Sequence, residues 1–154
     1  MKPTLVQFEA PGFGVGEVWL ERGRVFHTEL PRPRRTRPMS GSNGVELADR
    51  LSAFFAGDAD DFRDVRLRLP DGFYGRCARA LRKVQRGEVV SYGELAVLAG
   101  YPGAARAAGT FCGRCALSPF IPTHRVVGST GIGSYGDLGV DYKRRLLALE
   151  GVSV

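Results

Sequence analysis

The chain reads as an α+β protein: a small N-terminal antiparallel sheet with a helix, followed by a mainly helical domain. Three observations predict this. Residues 4 to 30 alternate as strands, the apolar period turns helical at Val45, and a capped helix-turn-helix pattern starts at Ser91. The expected division is residues 1–69 and 70–154.

TLVQFEA, VGEVWLE and RVFHTEL are broken by PGFG and by Arg22-Gly23, which gives three antiparallel strands. PRPRRTRPMSGSNG then mixes Pro, Arg and small polar residues and cannot bury apolar surface, so it is expected to be a solvated basic loop. Leu47, Leu51, Phe54 and Phe55 recur at i, i+4, i+7 and i+8 and form one face of a helix. RLRLP at 66–70 is a short extended connection. A second helix is expected over about 72–86, where Phe73, Cys77, Leu81 and Val84 share a stripe, with Cys77 as a small core residue.

In GEVVSYGELAVLAGYPGAARAAGTFCGR, Ser91 and Glu94 form an S-x-x-E capping box, and Leu95 and Leu98 are expected to face inward. Gly100-Tyr-Pro-Gly103 supplies the turn. The following AARAAG helix is nearly stripped of side chains, so it can lie close to another surface. Dense packing in the core is the alternative, but an unpaired Arg106 there would be costly. The closing segment is a Gly-rich loop and a helix from about Val140 to Glu150, stopped by Gly151.

Hydrophobic residues make up 44% of 154, enough for a folded core. No apolar run approaches the roughly 20 residues of a membrane span, and MKPTLVQFEA lacks the long apolar segment of an export signal. A cytoplasmic, nucleoid-associated protein without membrane contact is therefore expected, as a monomer. The net charge is +6, and 19 of 22 basic residues are Arg, whose planar fork suits phosphate and base contacts. Three cysteines, Cys77, Cys112 and Cys115, do not make a disulfide framework. Cys112 and Cys115 lack evident partners for a four-ligand zinc site, so neither metal nor cofactor is expected.

Thr123 and His124 in IPTHRVVG place a hydroxyl beside a base, and Glu150 is a candidate to orient the imidazole. Neighbours in an extended segment point to opposite sides, however, which argues against a direct pair. The residues alone leave catalytic and structural roles for His124 both open.

GEVVSYGELA, the PGAARAAG helix, IPTHRVVGSTGIGSYG and RRLLALEG together resemble the O6-alkylguanine-DNA alkyltransferase family, which transfers an alkyl group from guanine to its own cysteine. The close matches run from about residue 73 to 151. The resemblance implies a winged-helix-like DNA-binding domain that uses the minor groove and flips the damaged base. It implies that Arg106 fills the gap in the stack while Ala105, Ala107 and Gly109 let the helix approach. Tyr92 then crowds the phosphate and contacts the base, and Val126 reads the guanine edge through its backbone. Tyr135 and Gly136 cover the alkyl pocket, which Ser118 lines where the family has Pro. His124 and Glu150 match the relay that draws a proton from the cysteine. Cys115 stands where the family usually has Asn.

The departure is Thr123, where the family's motif has the acceptor Cys. Displacement at an alkyl carbon needs a thiolate, and a Thr hydroxyl ionises far less readily. The expected function is therefore that of the alkyltransferase-like branch: binding duplex DNA that carries O6-alkylguanine without transfer, with nucleotide excision repair proteins as further partners. A second reading keeps transfer, either through Cys112 or Cys115 or because Thr123 replaces a native Cys. A third takes Cys112-Gly-Arg-Cys115 as a redox or metal module, although such motifs belong at a strand-to-helix junction and this one follows a helix.

Overall fold

The computed structural model describes residues 2–33 and 44–154, which fall into two compact units. Most of the basic Pro-Arg segment lies outside the described residues. The first unit comprises residues up to Arg68 together with Ala116–Ser118. Strands β1 (Thr4–Ala10), β2 (Gly14–Glu21) and β3 (Arg24–Arg32) form an antiparallel meander. Arg22 and Gly23 both take positive φ, 53° and 75°, between paired Glu21 and Arg24. That conformation matches the twist of a two-residue hairpin turn.

Val6, Phe8 and Ala10 alternate onto the buried face, where helix α1 (Val45–Phe55) covers them. Phe55 is the centre of the aromatic core, with ring centroids 5.8 Å from Phe8 and 5.3 Å from both Phe13 and Phe54. The outer edge of β3 is covered twice. Val25 exchanges backbone bonds with Arg66 and Arg68, and the Thr28 N–H donates to the Ala116 carbonyl at 2.7 Å. A covered edge cannot recruit another strand.

The second unit comprises Leu69–Cys115 and Pro119–Val154. Its helices are α2 (Phe73–Leu81), α3 (Tyr92–Leu98), α4 (Ala105–Arg114) and α5 (Val140–Leu149). Two short strands, β4 (Val90–Ser91) and β5 (Val126–Val127), pair in parallel. The capping box forms as expected, with the Glu94 N–H donating to Ser91 Oγ at 3.0 Å and the Ser91 N–H to Glu94 Oε1 at 2.9 Å. Among the described residues no helix is long and apolar enough to cross a membrane.

Three expectations for this unit are corrected. The stripe expected to run helically to 86 leaves the α-helix after Leu81, where the Lys83 and Val84 N–H groups bond three residues back, to the Ala80 and Leu81 carbonyls. Leu98 is 58% exposed, and the inward face of α3 is Leu95, Ala96 and Ala99. The helix after the turn continues past Gly109 to Arg114, since Phe111 extends its buried side.

Gly75 lies in α2, where an added Cβ would come within 2.1 Å of the Pro70 carbonyl oxygen. Helix propensity alone favours Ala by about 1 kcal/mol. Backbone cannot yield as a flexible side chain can, so Gly75→Ala is expected to lower stability by about 1–3 kcal/mol in urea unfolding. A stabilised variant contradicts this packing.

Candidate functional site

Residues Thr123–Arg125 form one 3-10 turn between buried Pro122 and β5, rather than the extended segment expected from sequence. The Arg125 N–H donates to the Pro122 carbonyl at 3.0 Å, which closes the turn. Successive side chains then fan out around the axis. His124, fully buried, reaches Glu150 with Nε2 3.2 Å from Oε2. Thr123, 3% exposed, shares a hydrogen bond of 3.1 Å with the Tyr135 hydroxyl.

Arg125 completes the group and was not singled out from sequence. Its Nε donates to Glu150 Oε1 at 2.9 Å and its Nη2 to Oε2 at 2.6 Å, a bidentate pair. Its Nη1 donates to the Val84 carbonyl at 2.8 Å. Burial alone drives the Glu150 carboxyl upward, but the hydrogen bonds from Arg125 and His124 outweigh it and leave the group at about 2. Burial lowers His124, against the opposing pull of Glu150, so the imidazole is held neutral. A neutral imidazole with one nitrogen fixed by a carboxylate has the form of a general base.

Lys143 is the second residue that sequence reasoning missed. It is 1% exposed and donates to the carbonyls of Ile132 at 2.7 Å and Ser134 at 3.1 Å, which ties the Gly-rich loop to α5. Its Nζ lies 5.9 Å from the ring centroids of both Tyr92 and Tyr135. Burial lowers its ammonium to about 8. The signal was present: Lys143, Leu146, Leu147 and Glu150 share one helical face, so two charged residues bracket an apolar pair.

Tyr92 begins α3 with its phenol hydrogen-bonded to Ser134 and its ring over Gly109, where an added Cβ would lie 3.7 Å away. A Cβ on Gly133 would meet the Tyr92 hydroxyl at 2.9 Å, so this glycine, at φ 79°, lets the loop close on Tyr92. Ala105, Arg106 and Ala107 are exposed on the first turns of α4, while Ala108 is buried. These first turns thus offer Arg106 to solvent among small side chains. Val126 is buried and paired with Val90, and Gly136 is exposed beside Tyr135. Ser118 belongs to the first unit, where its carbonyl accepts the Thr28 hydroxyl at 2.7 Å. Cys112 and Cys115 are thiols without a disulfide, and burial is the main cause pushing Cys112 up to about 12. Such a thiol holds almost no thiolate near neutrality, which disfavours it as an alternative acceptor.

The comparisons with known proteins bear on this same arrangement. Residues 72–152 match the DNA binding domain of 6-O-methylguanine DNA methyltransferase. The methylated-DNA--protein-cysteine methyltransferase of Mycolicibacterium paratuberculosis is 44% identical over 124 residues, covering 77% of this chain and 72% of that protein. Among solved structures, the O6-methylguanine methyltransferase of Mycobacterium tuberculosis is similar with a TM-score of 0.80 at 30% identity, over 97% of this chain and 93% of that one. OGT of Mycobacterium tuberculosis in complex with DNA gives 0.77 at 32% identity, over 95% and 91%. The chain belongs to the 6-O-methylguanine DNA methyltransferase family.

The buried charges set the acid response. Unfolded Glu150 takes its proton near 4.5 and folded Glu150 near 2, so the unfolded state binds more protons between those values and stability falls as pH drops through them. His124 acts in the same direction below its ordinary 6.5, because the folded imidazole resists protonation. The urea midpoint is expected to start dropping below pH 6.5, through His124, and to drop further from pH 4.5 toward 2, through Glu150. Glu150→Gln, which strands Arg125, should cost on the order of 3 kcal/mol at pH 7 and flatten the acid slope. An unchanged midpoint in that variant contradicts the clamp.

Proposed function

We propose that this protein binds duplex DNA through the minor groove and recognises flipped O6-alkylguanine without removing the alkyl group. The observation that carries the reading is the hydroxyl of Thr123 at the acceptor position, bonded to Tyr135 beside a complete His124–Glu150–Arg125 group. In-line displacement at an alkyl carbon is the chemistry of a thiolate, and an aliphatic hydroxyl ionises far less readily, so beside the same imidazole it is much the poorer nucleophile.

The roles assigned to DNA contact have suitable surroundings. Arg106 stands exposed between two exposed alanines on α4, a shape that can follow a groove and insert one side chain into the stack. Tyr92 is fixed at the start of α3 and stacked over Gly109, so its phenol is held in place before DNA arrives. Thr123, Val126, Tyr135 and Gly136 belong to the segment between the 3-10 turn and α5, and form the proposed pocket for the modified base. Binding without transfer leaves the lesion in place, so other repair proteins, those of nucleotide excision repair included, would have to remove it.

The relatives' name favours a second reading, transfer to the protein's own cysteine, for which Cys112 and Cys115 are the candidates near the recognition helix. A paired assay separates the two. The protein is expected to bind an O6-methylguanine duplex more tightly than the unmodified duplex, with no gain in protein mass after incubation. Arg106→Ala should weaken binding to the lesion about tenfold or more. Equal affinity for both duplexes sinks the recognition reading, and a methylated cysteine in peptide maps establishes the transfer reading.

A further inference from the structure

We propose that the pocket floor prefers O6-alkyl groups ending in a hydrogen-bond acceptor oxygen over hydrocarbon groups of the same size. The inference rests on the recognition reading and names the class of adduct it favours. Its basis is the pair of hydroxyls on Thr123 and Tyr135, 3.1 Å apart, with Thr123 nearly without solvent access.

In the proposed pocket, Thr123 takes the acceptor position, so an alkyl group on the flipped guanine must press against its side chain. Tyr135 closes the same space from the loop before α5. A hydrocarbon terminus that separates the two oxygens breaks their hydrogen bond and offers no polar atom in exchange, at a Thr123 hydroxyl that water barely reaches. A terminal oxygen can bridge them, because each hydroxyl both donates and accepts and can rotate about its own bond. The penalty then falls on the hydrocarbon alone.

A second, independent observation sets the polarity. Lys143 Nζ lies 5.9 Å from the Tyr135 ring centroid, is buried, and donates to two carbonyls. Among the described residues it pairs with no carboxylate, whereas the charge of Arg125 is matched by Glu150. A cation on the ring draws electron density from the phenol and strengthens its O–H as a donor. The neighbouring field is positive as well, which favours the lone pairs of an incoming oxygen.

The test compares 2-hydroxyethyl with propyl, which have the same chain length and differ at the terminal atom. Duplexes carrying O6-(2-hydroxyethyl)guanine, O6-propylguanine, O6-methylguanine or guanine are titrated with the full chain by fluorescence anisotropy. The hydroxyethyl adduct should bind about tenfold more tightly than the propyl adduct. Thr123→Val and Tyr135→Phe should each bring that ratio towards one. Equal affinity for the two adducts overturns the proposal, as does a ratio that survives both substitutions. If O6-methylguanine still binds better than guanine in that case, only the selectivity has failed; if it does not, the recognition reading has failed first.

Discussion

The buried pair of Arg125 and Glu150 is the interaction on which the site depends. Both charges are withdrawn from water, which is costly unless geometry and hydrogen bonding are nearly complete. Completeness is achieved by drawing on three separate parts of the second unit. The 3-10 turn supplies the guanidinium, the end of α5 supplies the carboxylate, and the turn after α2 supplies the Val84 carbonyl. Arg86 adds a bond to the Leu149 carbonyl beside them. Displacing any one of these parts strands a charge in another, so the pair holds all three in register. Position 123 is the first residue of that turn and is fixed with it.

This constraint alters the meaning of an intact relay. His124 and Glu150 would be read in isolation as machinery for activating a nucleophile. In this chain Glu150 is bound more fully to Arg125, with two hydrogen bonds, than to His124. The carboxylate therefore has a structural reason to persist whether or not chemistry occurs at residue 123, and a buried neutral imidazole fills the space beside it. Thr123 in turn shares a hydrogen bond with Tyr135, so position 123 is built as a hydroxyl site. Lys143 extends the same logic to the Gly-rich loop, since its two carbonyl bonds hold Ile132 and Ser134, the neighbour of Tyr135, to α5.

Much of this was legible in the sequence, and what was missed has identifiable causes. Alternation in β1 and the S-x-x-E box at Ser91 are local signals, read over a few residues, and both correspond to the elements observed. The end of α2 differs because Val84 keeps the helical apolar spacing in a tighter turn closed by bonds three residues back, with its carbonyl then used by Arg125, 41 residues away. Leu98 was assigned inward from spacing alone, yet Ala96 and Ala99 permit the close packing of α3 that turns Leu98 outward. The likeness to the alkyltransferase motifs located Thr123, His124 and Glu150, whereas Arg125 was passed over as part of a motif string. Its role follows from a fold-level contact that periodicity does not encode. Ser118 is assigned by its place in the family's motif, and the structure adds that its carbonyl accepts the Thr28 hydroxyl.

The central claim is that the surroundings of a transfer site are retained while the acceptor is not, leaving recognition. Restoring the acceptor tests it most directly. Thr123→Cys and the unsubstituted chain are each incubated with an O6-methylguanine duplex, and intact protein mass is measured. The account predicts that the variant gains a single methyl group, mapped to residue 123, and that the unsubstituted chain gains none. A methylated unsubstituted chain, or a Thr123→Cys variant that folds and stays unmodified, contradicts it.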